Sequence, residues 1–333
     1  MSSPSHRLAI AGASSLLGKE LKQVIEEDSV AAAHLRLLDE ELFAGTLTEV
    51  GGEPAVVQRI EEDSFANADA VFLAGSPQFA RQCHAAAQGT RAAILDLSGG
   101  LLHLPGARPW IPRLDQWLPA PPRARASIYL CPSAPAIICC TLAVALSRLG
   151  AKRLIVNVFH PVSETGQAGI EELESQTAQL LSFQPLAQAT FDAQVAFNLL
   201  EQYGKSCPGK LADARKRIAE ETALELGAVI PLPAIQLLHA PVFYGTAVSA
   251  FAEFAQDPGE QNMVESLRQA GAVCGEPAAA APSNVSVAGE ARIHMARPRA
   301  DGTFAGGWWF WGVADNLRLP ADNALAVARI LLS

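Results

Sequence analysis

Residues 8–27 read LAIAGASSLLGKELKQVIEE, an apolar run, a small-residue turn and an amphipathic segment in immediate succession. Leu8 to Ala11 carries no charge and predicts a short buried strand, and the apolar spacing from Leu16 to Glu27 is that of a helix. Between them Gly12, Ser15 and Gly18 stand at the small-residue places of a G-x-x-G-x-x-G dinucleotide fingerprint, with Ser in the middle. Small residues are needed there because a pyrophosphate must reach the backbone N–H groups at a helix N-terminus. Ser15 adds a side chain where the cofactor is expected to lie, which weakens binding, and a tight strand-to-helix turn without ligand is the other reading. A secretion signal is excluded: GASSLLG interrupts the apolar run, which leads straight into a polar segment with no small-residue cleavage site.

Working outward, the pattern repeats. Leu35–Leu38 and Val71–Leu73 are apolar runs, Phe79–Gln88 has helical spacing, and Ala92–Leu95 ends at Asp96. Short apolar strands separated by helices predict a parallel, doubly wound Rossmann-type sheet with its ligand crevice at the carboxyl ends of the strands. The second strand ends at Asp39, about 20 residues past Gly18, where a carboxylate would meet an adenine-ribose hydroxyl. Asp39, Glu40 and Glu41 together would repel a 2′-phosphate and so favour NAD over NADP, unless they are a solvated acidic turn.

Leu101–Ser127, rich in Pro and Arg, reads as a connecting segment. A second unit follows, with helices at Ile137–Leu149, Gly169–Leu181 and Leu211–Glu225. Its strands are expected at Ala151–Pro161, Gln236–Leu238, Thr246–Phe254, Ser286, Arg292–Ala296 and Trp308–Val313. This order suggests an α+β domain with a mainly antiparallel or mixed sheet. PAAAAP at 277–282 reads as a surface loop and Ala321–Leu332 as a final apolar helix. In the strand WWFW, Trp308 and Phe310 point one way and Trp309 and Trp311 the other, so both faces need cover, from core on one side and a second subunit on the other.

At 333 residues the chain has room for two domains, and its even spread of Gly and Pro excludes collagen, coiled coil and general disorder. A net charge of −9 offers no basic surface for nucleic acid or an anionic membrane, which leaves small molecules and proteins as partners. No apolar run reaches the roughly 18 residues that a membrane-spanning helix needs. The six cysteines lack any C-x-x-C spacing, so neither a zinc knuckle nor a disulfide framework is indicated, and a reducing, cytosolic compartment follows.

Five segments together carry a resemblance. GASSLLG, DLSGG at 96–100, PVSETGQAGIEELESQT at 161–177, HAPVFYG at 239–245 and VADNLRLPADNALAVARILL at 313–332 are similar, in collinear order, to the aspartate-semialdehyde dehydrogenase family. The resemblance implies a dinucleotide-binding domain over residues 1–130 completed by a C-terminal helix at 319–333, and a glyceraldehyde-3-phosphate dehydrogenase-like substrate and dimerisation domain over 131–318. It also implies a homodimer, a place in amino-acid biosynthesis, and cofactor contacts at Gly12, Ser14, Ser15, Leu16, Gly18, Asp39, Gly75 and Asn316. The family reaction is the NADP-dependent, reversible reduction of aspartyl phosphate to the aldehyde through a cysteine thioester. It needs a thiolate, a histidine acid/base, and cations for carboxylate and phosphate.

Position by position, that machinery is replaced. The nucleophile of the P-N-C-[ST] pattern falls on Ala134 in Pro132–Pro135, and a methyl group cannot form a thioester. The family's Gln falls on His160, the substrate Arg on His239, the acid/base His on Thr246, the phosphate-binding Arg on Leu102, and the Lys before E-T on Arg217, which keeps its charge. The substrate-binding Glu falls among Glu171, Glu172 and Glu221. Cys131, three residues before Ala134, is the candidate substitute thiol, since a helix mouth lowers a thiol's pKa, whereas Cys139 and Cys140 lie in an apolar helix. His160 and His239 lack a third ligand at readable spacing, so no metal is expected. The residues imply loss of the family reaction and a role as a dimeric binding or regulatory protein. The competing reading is an active NAD-dependent oxidoreductase with a pocket rebuilt around His160, His239, Thr246 and Cys131.

Overall fold

The strand Arg7–Ala11 (β1) and helix Leu16–Glu27 (α1) form where the opening stretch predicts them. They begin the first of two compact units in a computed structural model that describes residues 6–28, 34–118 and 126–333. This unit comprises Met1–Pro112, Pro119–Pro132 and Pro320–Ser333. It continues through His34–Asp39 (β2), Leu47–Val50 (β3), Glu53–Val56 (β4), Gln58–Arg59 (β5), Ala70–Leu73 (β6), Pro77–Ala86 (α2), Ala93–Asp96 (β7), Ala107–Pro109 (β8) and Ile128–Leu130 (β9).

Seven of these strands make a sheet in the order β5-β2-β1-β6-β7-β9-β8, with every pairing parallel. Because successive side chains of a strand point to opposite faces, β1 feeds two cores. Leu8 and Ile10 pack with Leu21 and Ile25 of α1 and with Ala324 and Leu325 from the C-terminal segment, and Ala9 and Ala11 pack with Phe79, Ala80 and Cys83 of α2. Burial on both faces is why these strands read as unbroken apolar runs.

Two features depart from the expectations. The supposed connector at 101–127 contains β8 and a 3-10 turn at Pro112–Leu114, while its residues 119–125 lie outside the described ones. β8 is a three-residue edge strand ending in Pro109, too short to show a period, and an edge is where Pro is tolerated. The β3–β4 hairpin also escaped the sequence. Its turn, Gly51-Gly52, has positive φ at both residues (59° and 84°), a geometry that favours glycine.

The second unit comprises Arg113–Leu118 and Ser133–Leu319. In chain order it holds Ala134–Ser147 (α3), Ala151–His160 (β10), Gln167–Leu181 (α4), Leu211–Leu226 (α5), Ala234–His239 (β11), Thr246–Phe254 (β12), Glu260–Gln269 (α6), Val273–Cys274 (β13), His294–Met295 (β14), Arg299–Ala300 (β15) and Gly307–Ala314 (β16). The final helix, Arg318–Leu332 (α7), lies from Pro320 onward in the first unit. The sheet runs β11-β10-β12-β16-β14-β13, with β15 beside β16. It is mixed: β10–β11 and β13–β14 are parallel, the rest antiparallel. Ser286 sits in a turn rather than a strand, because Ser283 and Ser286 bond each other locally and compete with the ladder, and Arg292–Ala296 narrows to β14.

Helix α3 is buried all round from Ala134 to Leu146, which accounts for its lack of a polar face. It begins three residues before Ile137, since Pro135 fits the first turn of a helix. Residues of β10, β12 and β16 alternate in burial. Trp308 and Phe310 face the core, whereas Trp309 is 41% exposed and stacks with Phe251 at 5.0 Å between centroids. Ile155, Phe159, Phe251, Trp309 and Trp311 thus share the open face of the sheet.

Candidate functional site

The turn after β1 is built by its own close approaches. A Cβ on Gly12 (φ +91°) would stand 2.2 Å from the Gly75 nitrogen, and one on Gly18 would stand 2.1 Å from the Gly12 carbonyl oxygen. Gly75 is confined in turn by Phe79, whose ring would lie 2.8 Å from an added Cβ. Ser15 is the N-cap of α1: its Oγ accepts from the Gly18 N–H and donates to the Ala74 carbonyl, both at 2.8 Å. Its Oγ is thereby folded back into the turn.

Asp39 is buried at the end of β2 and closes the same turn. Its two oxygens accept from the N–H groups of Ser14 (2.7 Å) and Glu40 (2.8 Å). Glu40 and Glu41 are the exposed carboxylates, with Glu40 accepting from Ser76 Oγ. After these bonds are counted, the Leu16 and Leu17 N–H groups and the buried Oγ of Ser14 have no partner among the described residues. Unpaired donors at a helix N-terminus, where the dipole is positive, fit the phosphates of a dinucleotide.

Elsewhere in this unit the expected residues are structural. Leu102 is buried in the core with Leu101 and Phe79. Asp96 shapes the DLSGG loop by accepting from Ser98 N–H and Oγ and from the Leu101 N–H. Cys131, the candidate substitute thiol, is buried in the first unit's core, and its N–H donates to the Asp96 carbonyl.

In the second unit three expected positions meet on one row. His160 ends β10 and lies in register with His239, the end of β11. Continuing the β10–β12 register one step past the Phe159–Ala247 pair sets Thr246 beside His160. All three are buried. His239 Nε2 lies 3.3 Å from the Val195 carbonyl, which can only accept, so the hydrogen sits on Nε2 and Nδ1 accepts from the Tyr203 hydroxyl at 3.3 Å. His160 Nδ1 and Thr246 Oγ1 have no partner among the described residues. Burial pushes both imidazoles down to about 4, so they are neutral near pH 7.

Ala134 opens α3 and is fully buried. The residue before it, Ser133, donates from its N–H (3.0 Å) and its Oγ (2.6 Å) to Glu221 Oε2, while Arg217 Nε donates to Glu221 Oε1 at 2.7 Å. Of the other glutamates considered, Glu172 accepts from the Thr190 and Phe191 N–H groups and so holds the loop after α4, and Glu171 bonds to Gln167 at the surface. Asn316 is committed within this unit: Oδ1 accepts from the Gly245 N–H, and Nδ2 donates to Ser163 Oγ and Glu164 Oε1.

Sequence reasoning did not single out Ser163, Glu164 or Tyr203. The first two follow His160 directly in FHPVSETG, a proximity that could have found them, but Tyr203 reaches His239 only through the fold. Burial drives the Cys139 thiol up to about 12 and Cys140 well above its ordinary value, so neither is a nucleophile. Among the described residues no cluster of three His, Cys, Asp or Glu could hold a metal, and no helix is long and apolar enough to cross a membrane.

The family model described as "Semialdehyde dehydrogenase, dimerisation domain" matches residues 142–319, more than half of the chain. A USG-1 protein homolog of Azotobacter vinelandii is 29% identical over 99% of this chain and 98% of its own length. Aspartate-semialdehyde dehydrogenase 2 of Vibrio cholerae is 27% identical over the same shares. The crystal structure of aspartate semialdehyde dehydrogenase II from Vibrio cholerae superposes with a TM-score of 0.87 at 22% identity, covering 99% of both chains. With the parallel sheet, the mixed sheet and the matched segments in collinear order, the chain belongs to the aspartate-semialdehyde dehydrogenase family.

Proposed function

We propose that this family member has lost the reductive dephosphorylation of aspartyl phosphate and acts as a dimeric binding or regulatory protein. The observation that carries the reading is Ala134, a buried methyl group at the first position of α3, where the resemblance sets the nucleophilic cysteine. Covalent catalysis without its nucleophile typically falls by about 10⁴ or more. Thr246, His239 and Leu102 stand where the resemblance sets the acid/base and two cations, so neither proton transfer nor anion binding is compensated. Purified protein is expected to show no phosphate-dependent oxidation of aspartate semialdehyde with NAD or NADP. Turnover in the usual range of about 1 to 10³ per second would refute the reading.

The unpaired Leu16 and Leu17 N–H groups support a retained dinucleotide site, which also keeps an NAD-dependent oxidoreductase of altered substrate as the second reading. When bound, the nicotinamide would supply a hydride donor or acceptor. Gly12, Gly18 and the α1 N-terminus would hold its phosphates, and Asp39, Glu40 and Glu41 would disfavour NADP. Calorimetric titration should rank NAD above NADP. The open aromatic face of the second sheet supports a homodimer, whose obligate interface would bury about 2,000 Å² or more. Light scattering at sub-micromolar protein should then give twice the chain mass. That the six cysteines form no disulfide accords with a reducing, cytosolic setting.

A further inference from the structure

The helix-covered face of the second sheet is apolar row by row: Leu154 with Ala252, Val156 with Ala250, Val158 with Val248. At the last row the character changes, and His239, His160 and Thr246 stand side by side across three strands. Packing alone does not call for them, since an apolar side chain would continue the core. His239 is satisfied by Tyr203 and Val195. His160 Nδ1 and Thr246 Oγ1 are not, although both side chains are more than nine-tenths buried. A buried donor or acceptor left unmade is costly, and an external group is the usual remedy.

The burial of this row says what that group cannot be, because a charge taken in there would go uncompensated. Arg217, the cation at the α3 end of this unit, is bonded to Glu221. Glu164, in the turn between β10 and α4, is close enough to feel both Arg217 and Glu221. Burial holds the Glu164 carboxyl above its ordinary range, and Arg217 and Glu221 are spent on each other, so neither supplies a charge to a ligand here. The two imidazoles contribute no compensating charge near neutral pH.

We propose that His160 and Thr246 form a subsite for an uncharged ligand carrying a carboxamide or a comparable paired donor and acceptor. The Thr246 hydroxyl donates to the ligand carbonyl and His160 Nδ1 accepts its N–H, so both orphaned atoms are paired without burying a charge. The inference rests on the binding role argued above and names the chemical class that this site takes.

The test is a titration of the full chain, labelled with ¹⁵N-histidine, with succinamide, succinamate and succinate, three ligands of one shape and rising charge. Succinamide is expected to shift the His160 ring resonances at a concentration about tenfold or more below that needed for succinate, with succinamate between. Thr246→Val should weaken succinamide about tenfold, and Thr246→Ser, which keeps the hydroxyl, should stay within about threefold. Succinate binding as well as or better than succinamide overturns the proposal. So does a series in which no member moves the His160 resonances, because the orphaned atoms then need only water. If Thr246→Val does not fold, the ranking on the unaltered chain decides. Dehydrogenase turnover would refute the loss of the family reaction without touching this ranking, whereas a preference for succinate refutes the subsite whether or not turnover is seen.

Discussion

The Gly12–Gly18 turn and the Ser133–Ala134 corner each lead into a helix, and they differ in what stands beside the helix start. At the first, Ser15 caps only Gly18, and the N–H groups of Leu16 and Leu17 stay open. At the second, the chain brings its own anion: the Glu221 carboxylate takes two bonds from Ser133 and is held from the other side by Arg217. One helix start keeps open N–H groups, and the other has a carboxylate as its neighbour. On the function proposed above, the contrast teaches that a nucleotide-binding end would persist while the catalytic end is rebuilt, because the two rest on different residues in different units.

The sharpest way to break this comparison is at the turn itself. Gly12→Ala forces a Cβ into the Gly75 backbone and puts alanine at φ +91°, so overpacking and strain together should cost about 4 kcal/mol, read as a fall in the denaturation midpoint. An unchanged midpoint would mean that the glycine is kept for a ligand and not for the fold. At the other helix, Glu221→Ala removes the acceptor of the half-buried Ser133 donors and the bonded partner of Arg217. Partial exposure of Arg217 moderates the loss to about 3 kcal/mol in urea unfolding. A neutral result there would show that the carboxylate is not what holds the start of α3.

Acid should distinguish the two regions next. The folded values of His160 and His239 lie near 4, below the ordinary 6.5, so the unfolded chain binds more protons between those limits. Their contribution is intact above about pH 6.5 and is lost as pH falls toward 4, on the order of 2 kcal/mol per histidine by about pH 4.5. His160→Gln should flatten the stability-versus-pH curve over that window, and an unaltered slope would place the acid sensitivity elsewhere. The smallest effect belongs to Ser15. Ser15→Ala should cost about 1 kcal/mol by loss of the cap, and Ser15→Gly only a few tenths. Neither should tighten NAD, because the Ser15 oxygen is already folded back on its own backbone; tighter binding by Ser15→Gly would restore the crowding argument.

Much of this architecture was legible in the chain. The spacing of Leu8–Ala11, Gly12–Gly18 and Leu16–Glu27 specifies strand, turn and helix through contacts a few residues long, and the runs near 35–38, 71–73 and 92–95, alternating with helices, point to a parallel sheet buried on both faces. The WWFW alternation assigned Trp308 and Phe310 to one face and Trp309 and Trp311 to the other for the same local reason. The edge strand at Ala107–Pro109 and the Gly51-Gly52 hairpin were not legible, being too short to display a period.

The candidate site divides along the same line. That Ala134 cannot form a thioester is a matter of atoms, determined by the sequence alone. Which way Ser15 turns, that Cys131 is buried in the first unit, that Asn316 is spent on Gly245 and Glu164, and that Glu221 meets Ser133 are decisions of the tertiary structure. Each depends on partners far off in the chain. His160 and Thr246, 86 residues apart by their numbering, share a row only because β10 and β12 run antiparallel in one register. Side-chain chemistry is written residue by residue, but a hydrogen bond, a buried charge or an orphaned hydroxyl exists only once folding has chosen its neighbours.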